Sequence, residues 1–189
     1  MTITKWLDAK PYRGKTIKLK AAVKATSGQG RLWLRVDRQG GNMGFFDNMD
    51  NHPISSPQWK YYEITGTVDA DARQLFYGCL LAGPGHIWMD DFQIYIKENN
   101  RDKSWKPVVI YNPGFEEDKE GAAPTGWNGG GSGYSIQVTS DTAAKGSKSV
   151  SIQSQDVSAS QELFPQKPSV HCSSKESESG VEGILPTIS

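Results

Sequence analysis

A chain of 189 residues has room for one ordinary domain or two small ones. Its 21 lysines and arginines balance 21 aspartates and glutamates, so no net field draws in nucleic acid or an anionic membrane. Twenty glycines, ten prolines, six tryptophans and seven tyrosines, with few helix-forming runs, point to a turn-rich all-β protein. Residues 1 to 25 carry lysines throughout and no apolar stretch of signal-peptide length, and no later segment approaches a membrane span, so the expectation is a soluble chain without an export address.

From Thr16 to Lys24 the apolar Ile17, Leu19, Ala21 and Val23 alternate with Lys18, Lys20 and Lys24, the period of a strand with one face in a core and one in water. Gly28 and Gly30 mark a turn, after which RLWLRVDR puts Leu32, Leu34 and Val36 on one face and Trp33, Arg35 and Asp37 on the other. GNMGFFDNMDNHPISSPQ follows as a long polar loop around an aromatic pair, too irregular for one regular element. Strands are expected at WKYYEITGTV (59–68), RQLFYGCLLAG (73–83) and HIWMDDFQIYIK (86–97); in the last, Phe92, Ile94 and Ile96 share one parity and Gln93, Tyr95 and Lys97 the other. Spacing of about ten residues with turn signals between them is the signature of a sandwich.

KENNRDKSWKP is charged and reads as a connector, with the linker proper at 99–110 between a first part at 1–98 and a second at 111–167. The second part holds GFEE, the glycine-rich WNGGGSG, and strand candidates YSIQVT (134–139) and KSVSIQSQ (148–155). Residues 168–189 are rich in serine and glutamate without alternation and are expected to be disordered. ITKWLDAKP (3–11) and SQELFPQKP (160–168) align without gaps, both ending in Lys-Pro after an apolar pair. Cys79 lies in a strand and Cys172 in the tail, settings too different to imply a disulfide.

KPYRGKTIKLKAAVK, LWLRVD, FFDNMDNHPI with WKYYEITGTV, and LFYGCLLAGPGHIWMDDF together resemble the second half of a galactose-binding-like, carbohydrate-binding-module-type jelly-roll domain, across roughly residues 3 to 97. NPGFEE, PTGW, GYSIQVT and GSKSVSIQS resemble the first half of the same kind of domain, across residues 111 to 167. The resemblance implies an all-β jelly-roll β-sandwich completed in circularly permuted order, with the end of one copy preceding the beginning of the next. After Lys167 a YRGKTIKL-like continuation gives way to SVHCSSKES, as a truncated gene or an altered reading frame would produce. A connector of about eleven residues spans on the order of 35 Å, enough for the later strands to reach the earlier ones. Segments 3–10 and 160–167 then compete for one slot, and halves that failed to combine would favour domain-swapped dimers. Such modules resemble those appended to bacterial tail-specific serine peptidases, erythromycin-esterase-like hydrolases and some transcriptional regulators. That implies a neighbouring hydrolase domain as partner and a secreted or cell-envelope setting.

No catalytic constellation is visible: His52, His86 and His171 lack metal-ligand spacing, there is no GxSxG elbow, and GGGSG precedes no helix. The resemblance implies a structural calcium held by Glu116 and Asp91, with Asp90 as a further ligand; oxygen donors suit that cation. Asp90 and Asp91 could equally hydrogen-bond to backbone beside a turn, and Glu117, Asp118 and Glu120 read as a solvated charge run. Aromatic faces stack on sugar rings while polar groups fix hydroxyls. Trp33, Arg35, Phe45, Phe46, Asp47, Asn48, Tyr61 and Trp88 are the candidate platform. Against it, strand aromatics commonly pack in a core, and Asp47 and Asn48 suit a tight turn; Trp6, Trp59 and Trp127 are assigned to the core or its edges. The expectation is a non-catalytic accessory module binding a glycan or small polyhydroxylated ligand, set against a structural spacer or a regulator's sensing module. Trp33 and Trp88 side by side in a groove would favour the first, and burial of both the second.

Overall fold

The computed structural model describes residues 1–98 and 104–155. Among them the chain forms nine strands and two 3-10 turns: β1 (Thr2–Asp8), β2 (Thr16–Arg38), β3 (Met43–Asp47), β4 (Lys60–Thr67), β5 (Ala72–Lys97), β6 (Lys106–Val108), β7 (Asn128–Gly130), β8 (Tyr134–Thr139) and β9 (Ser149–Ser154). Every strand pairing is antiparallel.

At 23 and 26 residues, β2 and β5 are too long for one twisted sheet. They pair along their whole length, Thr16 opposite Lys97 at one end and Arg38 opposite Ala72 at the other, with register slips between Ala25 and Gln29. The turn expected at Gly28–Gly30 and the break expected between the strands at 73–83 and 86–97 are instead a shared corner, where both strands bend without leaving the ladder. Glycine makes the corner: Gly28 has φ of 74°, and a Cβ there would sit 2.7 Å from the Pro84 carbonyl oxygen.

The bend yields two sheets. The first runs β3, β2 (29–38), β5 (72–82), β1, β7; the second runs β4, β2 (16–25), β5 (86–97), then β6 and β9 in succession along one edge of β5, then β8. This is an all-β jelly-roll sandwich. Its interior follows the period of two: Ile3, Leu32, Leu34, Val36, Leu75 and Tyr77 from the first sheet meet Ile17, Leu19, Ala21, Val23, Ile87 and Met89 from the second, all buried. Each of the buried Val, Leu, Ile and Met side chains contributes roughly 1.5–3 kcal/mol. Cys79 is buried among them, and burial pushes its thiol up to about 12.

Strands after the connector complete the sheets begun before it. Gly130 of β7 lies opposite Thr2, and Gln153 of β9 opposite His86. Phe115 and Trp127 fill the interior against Tyr77 and Phe92, with ring centroids 4.7 Å apart for Phe92 and Trp127 and 5.7 Å for Phe115 and Trp127. Phe115 reaches that position from a left-handed backbone (φ 61°) in a turn held by Asn112 and Asp118. Asn112 Nδ2 donates to Asp118 Oδ2 at 2.9 Å, and the Thr125 N–H donates to Asp118 Oδ1 at 3.0 Å. Asp118 is therefore a buried turn staple and not part of a solvated charge run. Two expected loops also hold strands: the 41–58 segment contains β3, and the linker contains β6. The segment at 160–167, Cys172, His171 and the tail lie outside the described residues.

Candidate ligand-binding face

β9 covers β5 at His86–Met89 and β6 covers it at Ile94–Ile96; between them the 112–115 turn closes the edge, the Phe92 N–H donating to the Pro113 carbonyl oxygen at 3.0 Å. There β5 carries one residue more than its partner: Lys20 lies opposite Gln93 and Ala22 opposite Asp90, a bulge with Asp91 in a left-handed conformation (φ 46°) that aspartate tolerates better than most residues. The bulge re-aims side chains at the outer face of the second sheet. The Asp91 carboxylate, 6% exposed as a residue, accepts from the Tyr61 hydroxyl at 2.7 Å, from Gln93 Nε2, and from Lys145 Nζ at 3.3 Å. Gln93 Oε1 accepts in turn from the Tyr95 hydroxyl at 2.6 Å. The bond to Asp91, with burial adding to it, pushes Tyr61 up to about 12, which keeps its hydroxyl protonated. A groove of about 650 Å³ runs past Asp91 and Lys145 beneath residues 109–114.

Aromatic and lysine side chains flank this polar chain at both ends. At one end Lys24 Nζ sits 4.5 Å from the Trp88 ring centroid and 5.5 Å from that of Trp59, and both Lys24 Nζ and Trp59 Nε1 donate to Thr142 Oγ1 at 3.0 Å. His86 stacks on Trp88 at 3.6 Å, and burial, with Lys24 nearby, lowers its pKa. At the other end Lys18 and Lys97 lie over Trp105 at 4.7 and 4.8 Å, and in the middle Lys20 lies over Tyr61 at 4.5 Å. Lys18 and Lys24, six residues apart on β2, set these ends ~20 Å apart at strand rise.

Of the platform expected from sequence, the structure brings Tyr61 and Trp88 together on this face and places the rest elsewhere. Trp33 and Arg35 lie on the outer face of the first sheet, on the opposite side of the sandwich; Trp33 is 9% exposed and its Nε1 donates to Thr2 Oγ1 at 3.1 Å. Phe46 pairs with Arg35 on that same side, while Phe45 packs against the core. Asp47 and Asn48 each accept a backbone N–H two residues on, from Met49 at 2.8 Å and Asp50 at 3.2 Å, as turn residues do. The face also recruits Trp59, Trp105, Gln93, Tyr95 and the lysines. Their outward parity on the strands was the available signal, and Trp105 had none because it falls in the charged connector.

Asp90 and Glu116 are staples. Asp90, fully buried, accepts the N–H groups of Asp91, Ala144 and Lys145 at 2.6, 2.8 and 2.9 Å; burial nevertheless pushes it up to about 6. Glu116 accepts the N–H groups of Ser147 at 2.9 Å and Lys148 at 3.0 Å and the Ser147 hydroxyl at 2.6 Å. Loss of solvent works the other way, but these donors hold it below the usual carboxylate range. Among the described residues no three carboxylate, imidazole or thiolate groups converge as a metal site requires. The oxygens of Glu116, Asp90 and Asp91 face N–H and O–H donors and one ammonium, so this arrangement does not fit calcium.

No protein-family model matches the chain. It is similar to an uncharacterised HTH-type transcriptional regulator, YbfP, of Bacillus subtilis (strain 168), with 35% identity over 92 residues that cover 47% of this chain and 31% of the regulator. The chain thus spans about a third of that relative's length. Among solved structures it is similar to one described as "CBM4 structure and function", at 16% identity and a TM-score of 0.34, over 56% of this chain and 59% of that one.

Proposed function

We propose that the protein is a non-catalytic module that binds a glycan, or another polyhydroxylated ligand, across the outer face of the second sheet. The observation that carries this reading is the Tyr95–Gln93–Asp91–Tyr61 hydrogen-bond chain, set between the Trp59–Trp88 and Trp105 groups. A hydroxyl-rich ligand needs donors and acceptors whose directions are fixed in advance, beside broad apolar surfaces of low rotamer entropy. Hydroxyls, an amide and a carboxylate that hold one another in place meet the first need, and the flanking rings, together with the lysine stems that lie across them, meet the second. Three of the six tryptophans lie on the face, so titrating intrinsic fluorescence with a panel of oligosaccharides tests it. A saturable shift whose midpoint Trp88→Ala moves about tenfold toward weaker binding is the expected result. A flat response to the whole panel would favour a structural spacer.

The likeness to part of a transcriptional regulator supports a second reading, in which the same face serves as the sensing portion of a longer protein. Sequencing the flanking coding region for a helix-turn-helix segment tests it. A hydrolase partner rests on the resemblance carried by FFDNMDNHPI and WMDDF, and the same flanking sequence addresses it.

A further inference from the structure

On the reading that this face binds a glycan, we infer that the glycan is acidic, with carboxylate groups on its rings that engage Lys20 and Lys24. Five lysines project onto or beside the face. Lys18 is paired with Glu63 at 3.2 Å and Lys145 with Asp91 at 3.3 Å. Lys20 and Lys24 have no carboxylate within ion-pair distance among the described residues; Lys20 rests on Tyr61, and Lys24 on Trp88 and Trp59 with Thr142 as its hydrogen-bond partner. In a chain whose formal charge is zero, this face therefore carries a local surplus of cations.

The aromatic rings decide what that surplus is for. A neutral sugar would stack on the open faces of the tryptophans, but ammonium groups lie over Trp88, Trp59, Tyr61 and Trp105. Stacking there would require the lysines to leave favourable cation–π positions. The rings instead hold long, flexible side chains in register along β2, fixing their charges at two-residue and four-residue intervals. Rings that immobilise ammonium groups reduce the entropy lost when an anion binds. Glu63 and Asp91 are already paired, and Asp141, near His86, forms no ion pair with Lys24 among the described residues, which leaves Lys20 and Lys24 to the ligand. The neighbouring Tyr61–Asp91–Gln93–Tyr95 chain offers a hydroxyl-reading set, which an oligonucleotide would not use, so an acidic glycan fits better than a nucleic acid.

The test compares an oligogalacturonate with its fully methyl-esterified form, which has the same rings without the charge, by calorimetry or tryptophan fluorescence on the unaltered protein. The acidic form should bind roughly tenfold more tightly, the sum of a few exposed ion pairs. That preference should vanish as ionic strength approaches 1 M, where the Debye length is ~3 Å. Lys20→Gln and Lys24→Gln, which keep most of the packed stem, should each cost the acidic form on the order of threefold more than the ester. Equal binding of acid and ester, or binding only to neutral oligosaccharides of the wider panel, would overturn the acidic preference while leaving glycan binding in place. Binding to no glycan at all would overturn both. Equally tight binding of oligothymidylate would overturn the glycan assignment in favour of a single-strand binder.

Discussion

The two outer faces of the sandwich are built from the same two strands, yet the structure uses them in opposite ways. On the first sheet Trp33 is buried and tied to Thr2, and Arg35 pairs with Asp37 at 2.8 Å and lies over Phe76 at 4.8 Å, in a cross-strand row with Phe46 and Trp6, which are 45% and 52% exposed. On the second sheet lysines and aromatics alternate around a connected polar chain. The difference comes from neighbours. Gly78 lies opposite Trp33 and leaves room for the indole to lie down, whereas Trp88 lies opposite Lys24, whose ammonium sits 4.5 Å from its ring centroid. An outward aromatic is therefore structural or available depending on the residue across the ladder, which strand alternation alone does not reveal.

The comparison can be broken most forcefully at the tryptophans. Trp33→Ala should destabilise the fold by about 3 kcal/mol, read from chemical denaturation, while the folded protein keeps its ligand affinity. Trp88→Ala should do the reverse, lowering affinity about tenfold at a cost of ~1 kcal/mol in stability. Loss of binding from the first variant and none from the second would exchange the roles of the two faces.

A smaller effect concerns the staple beneath the second face. Burial raises Asp90 to about 6 in the folded protein from a reference of 3.8, so the folded state holds this proton more tightly than the unfolded one. Its stabilising contribution is complete below about pH 4 and is lost as pH rises through about 6. Denaturation midpoints measured between pH 4 and 6 should fall for the unaltered protein relative to Asp90→Asn. Parallel pH profiles would show that the three backbone N–H donors cancel the burial.

The smallest expected effects are nulls that sharpen the contrast. Phe46→Ser on the first face should change stability by no more than about 0.5 kcal/mol and leave binding alone. Calcium should not raise the melting temperature; a rise abolished by Glu116→Gln would show that the donors around Glu116, Asp90 and Asp91 give way to the ion.

Much of the architecture was legible because period-two alternation survives in Ile17–Val23, Leu32–Val36 and Phe92–Ile96, whose inward residues are the observed core. The corner was not: glycine signals a turn and a bend equally well, and only the opposing strand shows which. For the ligand face, Tyr61 and Trp88 stood on readable strands. Asp91 was noticed for its carboxylate, but its role as the centre of a network depends on a bulge created by pairing across distant sequence. Trp33 shared the right residue type and parity, and the corner carried it to the other side of the molecule. Trp105 sits in a segment whose charge resembles a connector, and no local pattern marks its return to the sheet.

The claim that matters most is the location of the ligand. Amide-resolved NMR during titration with acidic and neutral oligosaccharides addresses it directly. Shifts are predicted to gather at Lys18–Lys24, Tyr61 and Trp88–Tyr95, with the indole signals of Trp59 and Trp105. Shifts gathered at Thr4, Trp6, Trp33 and Phe46 instead would contradict it.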